Sequence, residues 1–158
     1  MPRHPSLMPL SHDHHHGLAL ALRCRKQALG QIKPMGVRGL RERAREIRDF
    51  FSTNLERHFQ AEEQALFPFM RLSIPQSRTL IDVLLADHKK IREAARGLEA
   101  DTGVAKLLFD FGDLLERHIR REERELFLLF EELATPEEAE GVKREIERIL
   151  ERGENERL

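Results

Sequence analysis

Apolar residues return every three to four positions along most of this chain, the interval that places side chains on one face of an α-helix. Four such stripes are legible. The first carries Leu10, Leu18 and Ala21, and the second Phe51, Leu55, Leu66 and Phe69. The third carries Leu84, Leu85, Ile91 and Ala95, and the fourth Phe111, Leu115, Leu126 and Leu129. The residues between the stripes set the expected limits. Ser11 is a candidate cap for a first helix that runs to Leu29 and stops at Gly30, and 30–39, with Pro34 and Gly36, reads as a loop. A second helix is expected over 40–70, with Pro68 kinking or ending it. Pro75 marks the next turn, where Ser73 and Gln76 form a candidate capping pair. A third helix over 76–99 follows, then a break at Asp101-Thr102-Gly103 and a fourth helix over 104–133. Thr135-Pro136-Glu137-Glu138 is a start signal, with Thr at the cap, Pro at the first helical position and Glu at the third. It opens a fifth, charged helix to Arg152. No segment alternates with period two, so no sheet is expected. The expected fold is all-α: an antiparallel up-down-up-down four-helix bundle over 11–134. An irregular lead-in at 1–10 precedes it, and a C-terminal charged helix and tail at 135–158 packs on its outside.

Composition narrows the function classes. Hydrophobic residues make up 40% of the 158 and charged ones 35%, too apolar for a disordered chain and too charged for a membrane span. A net charge of −1 exerts no general pull toward nucleic acid or an acidic membrane, and neither is an expected partner. The single cysteine, Cys24, excludes an internal disulfide and multi-cysteine zinc or iron–sulfur sites. Its expected role is that of a small core hydrophobe. No charged-then-apolar leader is legible, and the expected location is the cytoplasm. There is no Trp and no Tyr, so a tyrosyl radical or a Tyr ligand is impossible.

Eight histidines carry the rest of the argument. Leu55-Glu56-Arg57-His58-x-x-x-Glu62-Glu63-x-x-Leu66-Phe67 recurs as Leu115-Glu116-Arg117-His118-x-x-x-Glu122-Glu123-x-x-Leu126-Phe127. Upstream of each copy lies an Asp-His pair, Asp13-His14 and Asp87-His88. The bundle thus reads as two similar helix pairs. Residues four apart lie about 40° apart round a helix, so His58 stands over Glu62 and His118 over Glu122. All four, with His88, sit on the apolar stripes and face the interior. Buried carboxylates without cations are destabilising by several kcal/mol or take up protons, and no Arg or Lys shares these stripes. A pair of metal ions resolves the conflict. Carboxylate oxygens bridge two ions, and imidazole nitrogen suits iron, zinc, copper and nickel. Glu63 and Glu123 lie about 100° round from the stripe and read as flanking residues or as acceptors behind the ligands. The first helix leaves its ligand open. The Asp-His alignment favours His14. His15 shares a face with Leu18 and Leu22 and is a candidate further nitrogen, and His12 lies one turn behind it. His16 points elsewhere, and His4 is not expected at the site.

These residues resemble the hemerythrin-like, HHE cation-binding family in its bacterial single-domain branch. The resemblance covers 10–133, through LSHDHHHGL, RHFQAEEQALFP, ADHKKIR and RHIRREERELF. It implies a four-helix bundle round a non-haem di-iron centre. His14, His58, His88 and His118 would be terminal ligands, and Glu62 and Glu122 bridging carboxylates. An oxo, hydroxo or water bridge would complete the pair. Oxygen-carrying hemerythrins place a second His one turn after the third-helix ligand, where this chain has Arg92, and their fourth-helix carboxylate is an Asp spaced one residue further from its His, whereas here it is Glu122. Both departures argue against reversible oxygen carriage. They leave a nitrogen to come from His15, or a coordination position open. The expected function is a metal-binding protein that binds or senses oxygen, nitric oxide or peroxide. The alternatives are an iron-handling or peroxide- or nitric-oxide-consuming oxidoreductase and a bundle loaded with zinc or another divalent metal. The residues leave open whether the protein is an enzyme.

Overall fold

The structure, a computed structural model, describes residues 2–31 and 36–156, with side chains as far as 152. Among these residues every regular element is helical. A 3₁₀ turn, Pro5–Leu7, leads into α1, Met8–Ala28. A continuous helix, α2, spans 37–73, and a second 3₁₀ turn, Pro75–Ser77, leads into α3, Arg78–Gly97. Helix α4 spans 104–133 and α5 is Pro136–Glu156. The up-down-up-down bundle expected from the stripes is therefore present. The middle of the expected loop, residues 32–35, lies outside the described residues.

Several limits differ from the sequence expectation. Helix α1 begins three residues before Ser11, with Pro9 in its first turn, where a missing N–H costs nothing. Ser11 is consequently no cap. Ser77, rather than Ser73, ties the α2–α3 corner, its hydroxyl donating to the carbonyls of Met70 and Ile74. Pro68 neither ends nor breaks α2. It follows a five-residue π turn, Glu62–Leu66, and stands in the first turn of the α-helical stretch that resumes there. The Thr135 box forms as expected: Thr135 N–H donates to Glu138 Oε1 at 3.0 Å and Glu138 N–H to Thr135 Oγ1 at 3.2 Å. Gly103 holds φ +68°, which only glycine adopts freely, at the entry to α4.

The core lies in two apolar halves with a polar layer between them. One half holds Leu10, Leu66, Phe67, Leu84, Leu126 and Phe127. The other holds Ala21, Leu55, Phe59, Ile91, Leu115 and Ile119. Each bundle helix passes from one half to the other, and its site residues fall at the crossing. Helix α5 does more than lie outside. Its Ala139, Val142, Ile146 and Ile149 are buried in the first half, and Ser6 Oγ donates to the Ala139 carbonyl at 2.8 Å. Cys24 is fully buried, and burial pushes its thiol up to about 12, so it packs as an inert small group.

Helix α4 packs its backbone against α1 at Gly112. A Cβ there would stand 2.7 Å from the Ala21 carbonyl oxygen and 3.2 Å from Cys24 Cβ. Backbone cannot step aside without moving the helix, so Gly112→Ala is expected to cost about 1–3 kcal/mol, read as a lowered Tm in a thermal melt. At Gly17 the nearest atom is Ile119 Cδ1 at 2.8 Å, the end of a flexible side chain. Gly17→Ala should therefore cost less. Equal losses at the two glycines would contradict this account.

Candidate metal centre

The polar layer brings together His14 of α1, His58 and Glu62 of α2, His88 of α3, and His118 and Glu122 of α4. All six are buried, and both glutamates have no exposed surface. Their potential ligand atoms form two groups, each within 4.8 Å: His14, His58, Glu62 and Glu122, and then Glu62, His88, His118 and Glu122. Both glutamates belong to both groups. His14 Nε2 lies 3.0 Å from Glu122 Oε1 and 3.1 Å from His58 Nε2. His88 Nε2 lies 3.1 Å from Glu62 Oε1, and His118 Nε2 lies 3.2 Å from Glu122 Oε2. Among the described residues Glu62 Oε2, both Glu122 oxygens and His118 Nε2 have no hydrogen-bond partner. Acceptor and donor-capable atoms that crowd a common centre without bonding one another are what a cation site presents.

The outward nitrogens are all engaged. His58 Nδ1 meets Asp13 Oδ2 at 3.1 Å and His118 Nδ1 meets Asp87 Oδ2 at 3.2 Å. His14 Nδ1 meets Glu123 Oε1 at 3.0 Å and His88 Nδ1 meets Glu63 Oε2 at 2.6 Å. In every case the carboxylate comes from a different helix. An Nδ1–H donated outward leaves the Nε2 lone pair for the interior, so four acids set the tautomer of four imidazoles. The asymmetry of the two ring nitrogens follows the two-fold repeat in the sequence: Asp13 and Asp87 serve the HxxxEE helices, and Glu63 and Glu123 serve the Asp-His helices.

Three arginines back this outer ring: Arg121 Nη1 donates to Asp87 Oδ2 at 3.1 Å, and Arg92 and Arg3 hold the two glutamates. Arg92 binds both Glu63 and Glu56, with Nη1 2.8 Å from Glu63 Oε2 and Nη2 2.7 Å from Glu56 Oε1. Its guanidinium lies 5.4 Å from the centroid of Phe59, whose ring stacks on His88 at 3.8 Å. Arg3 repeats the arrangement across the bundle. It pairs with Glu123 at 2.7 Å and with Glu131, and lies 5.3 Å from the centroid of Phe127, which stacks on His14. Ser11 Oγ also donates to Glu123, at 2.7 Å. The duplicated Asp-His and HxxxEE patterns foreshadowed the carboxylates. No sequence signal pointed to Arg3, which meets Glu123 across 120 positions of chain.

Electrostatics match an incomplete cation site. Burial, with the charge of Glu122 added, pushes the Glu62 carboxyl up to about 8. Burial acts on Glu122 in the same sense, but His118 and its other neighbours hold it well below the usual range. Burial disfavours a charged His118, yet Glu122 and Asp87 carry it up to about 10. Glu63, facing His88 and Arg92, is held down at about 2 against the opposing effect of partial burial.

His15 is a correction to the sequence expectation. It is exposed and lies outside both groups, because the face it shares with Leu22 looks to solvent, where Leu22 is 46% exposed. Arg92 stands one turn after His88 and binds Glu56 and Glu63 in place of turning inward. His12 and His16 are exposed, and His4 contacts the edge of Phe130 away from the layer.

An all-helical bundle with a buried His/Glu cluster at mid-height defines a metal-binding class of fold. The hemerythrin HHE cation-binding domain model matches residues 7–130, and the chain belongs to that family. No curated protein and no solved structure matches it. No described helix is long and apolar enough to cross a membrane.

Proposed function

We propose that the protein is a non-haem di-iron protein that binds or senses a small oxidant or radical, oxygen, nitric oxide or peroxide, in the cytoplasm. The supporting observation is the pair of four-residue donor groups that share Glu62 and Glu122. His14 and His58 would hold one ion and His88 and His118 the other, with both glutamates common to the two. Four protein donors fall short of the six that an octahedral ion takes, which leaves places for an exogenous ligand. Iron held there would supply one-electron redox chemistry. The chain's own part is to orient and to exclude water. The four outer carboxylates fix the ring orientations, and the Phe59, Phe67 and Phe127 rings stack against His88 and His14 and keep the layer dry.

Anaerobic iron loading with metal quantitation, followed by absorption spectra before and after air, tests this reading. With no Trp or Tyr the near-ultraviolet carries little protein absorbance. Iron filling both donor groups, with charge-transfer bands appearing in air, supports it. Reversal under vacuum then favours a binder or sensor, and irreversible oxidation with peroxide turnover favours the oxidoreductase reading. No iron uptake, or tightly held zinc alone, would leave a structural bundle.

The outer ring gives a second test. Glu63→Gln or Arg92→Ala should weaken metal binding by about 10–100-fold without loss of the fold, measured by competition against a chelator. His15→Ala should leave that affinity unchanged. An equal loss at His15 would overturn the ligand set.

A further inference from the structure

Helix α1 carries a second set of imidazoles that the buried centre does not use. His12 and His16 are one turn apart on its solvent face, both exposed. Each is two residues from His14, about 200° round the helix, so the pair faces away from the bundle interior. Their rings are edge to face, with centroids 4.9 Å apart, and their Nε2 atoms approach to 3.4 Å. That approach is long for a hydrogen bond between them. Among the described residues neither ring makes another hydrogen bond or ion pair.

The distance has a chemical meaning. Two imidazole nitrogens bound at 2.0–2.1 Å to one tetrahedral ion stand about 3.3–3.4 Å apart. The two Nε2 atoms are already at that separation on adjacent turns of one helix, so an ion needs only the rings to turn until both lone pairs face it. We propose that His12 and His16 form a surface chelate for a borderline divalent ion such as zinc, with water filling its remaining positions. The site stands apart from the buried centre. It has two neutral donors and no carboxylate, so it selects ions that favour nitrogen and discriminates against magnesium and calcium.

Carbethoxylation of the full chain, mapped by mass spectrometry with and without micromolar zinc, locates the ion directly. Zinc should protect His12 and His16 while His15, also exposed, stays reactive. Equilibrium dialysis against zinc provides the second measurement. His12→Ala and His16→Ala should each lower the affinity of one zinc by roughly tenfold or more, and His15→Ala should not. Absence of protection at micromolar zinc, equal protection of His15, or zinc binding unchanged in both variants would overturn the proposal. The readout is independent of the interior. Protection of the pair in a chain whose buried centre takes no metal would separate the two readings.

Discussion

On the proposed two-ion reading, Glu62→Ala or Glu122→Ala is expected to abolish uptake of the second ion and to remove most of the stabilisation that metal confers. Each glutamate lies in both donor groups, so one substitution depletes both at once. The metal-free protein should tell the two glutamates apart. There the two carboxylates are buried against each other, and burial with the charge of Glu122 drives the Glu62 carboxyl to about 8. Glu62 is protonated there at neutral pH, so Glu62→Ala leaves only a cavity to cost, whereas Glu122→Ala also strips the counter-charge from buried His118 and costs more. The expected signature is a loaded Tm that no longer rises above the metal-free one, with the metal-free Tm lowered modestly in Glu62→Ala and further in Glu122→Ala. A ligand at 100 times its Kd stabilises the fold by about 2.7 kcal/mol, or several degrees for a chain of this size. Thermal melts with and without iron, beside metal quantitation, measure both. Variants that keep the full metal complement and the full increment in Tm would show that the glutamates do not bridge.

Raising the pH should destabilise the metal-free protein and leave the loaded protein unaffected. His118 moves from 6.5 to about 10 on folding, and Glu62 from 4.5 to about 8. His14 and His88 move upward as well. A group whose folded value is raised holds a proton that the unfolded chain has released, so stability falls as pH rises between the two values. For Glu62 that window is 4.5 to 8, for His118 6.5 to 10, and both act between 6.5 and 8. Each retained proton is worth up to about 1.4 kcal/mol per pH unit. Glu122, held low, acts in the other direction, and its contribution is lost only in acid, below 4.5. Metal replaces these protons, so its affinity rises with pH and the alkaline loss disappears once the site is filled. Melts from pH 6.5 to 9 on both forms check this. A metal-free Tm that holds steady or climbs over that range would contradict the assignment.

Five of the six interior residues were legible because helical periodicity turns spacing into direction. His58 with Glu62, and His118 with Glu122, are one turn apart on stripes whose other members are Leu and Phe, and that pattern admits few environments. The duplicated motif did the rest by implying that two such helices meet. The first helix was harder. Three consecutive histidines, His14, His15 and His16, point in three directions, and the stripe is too weakly apolar there to choose between them. Burial of His14 and exposure of His15 decided it.

The sequence by itself thus determined the helices, the family, and a core in which acids and imidazoles replace apolar side chains at mid-height. Those follow from interactions between residues a few positions apart, which chain geometry fixes directly. Only the tertiary structure decided which carboxylate meets which imidazole, that α5 buries Ala139, Val142, Ile146 and Ile149 in the core, and that Arg3 mirrors Arg92. Those contacts join residues tens to more than a hundred positions apart, such as His14 with Glu123 and Arg3 with Glu131. They depend on how helices are rotated and staggered against one another, and packing of the whole bundle sets that rotation where local propensity cannot.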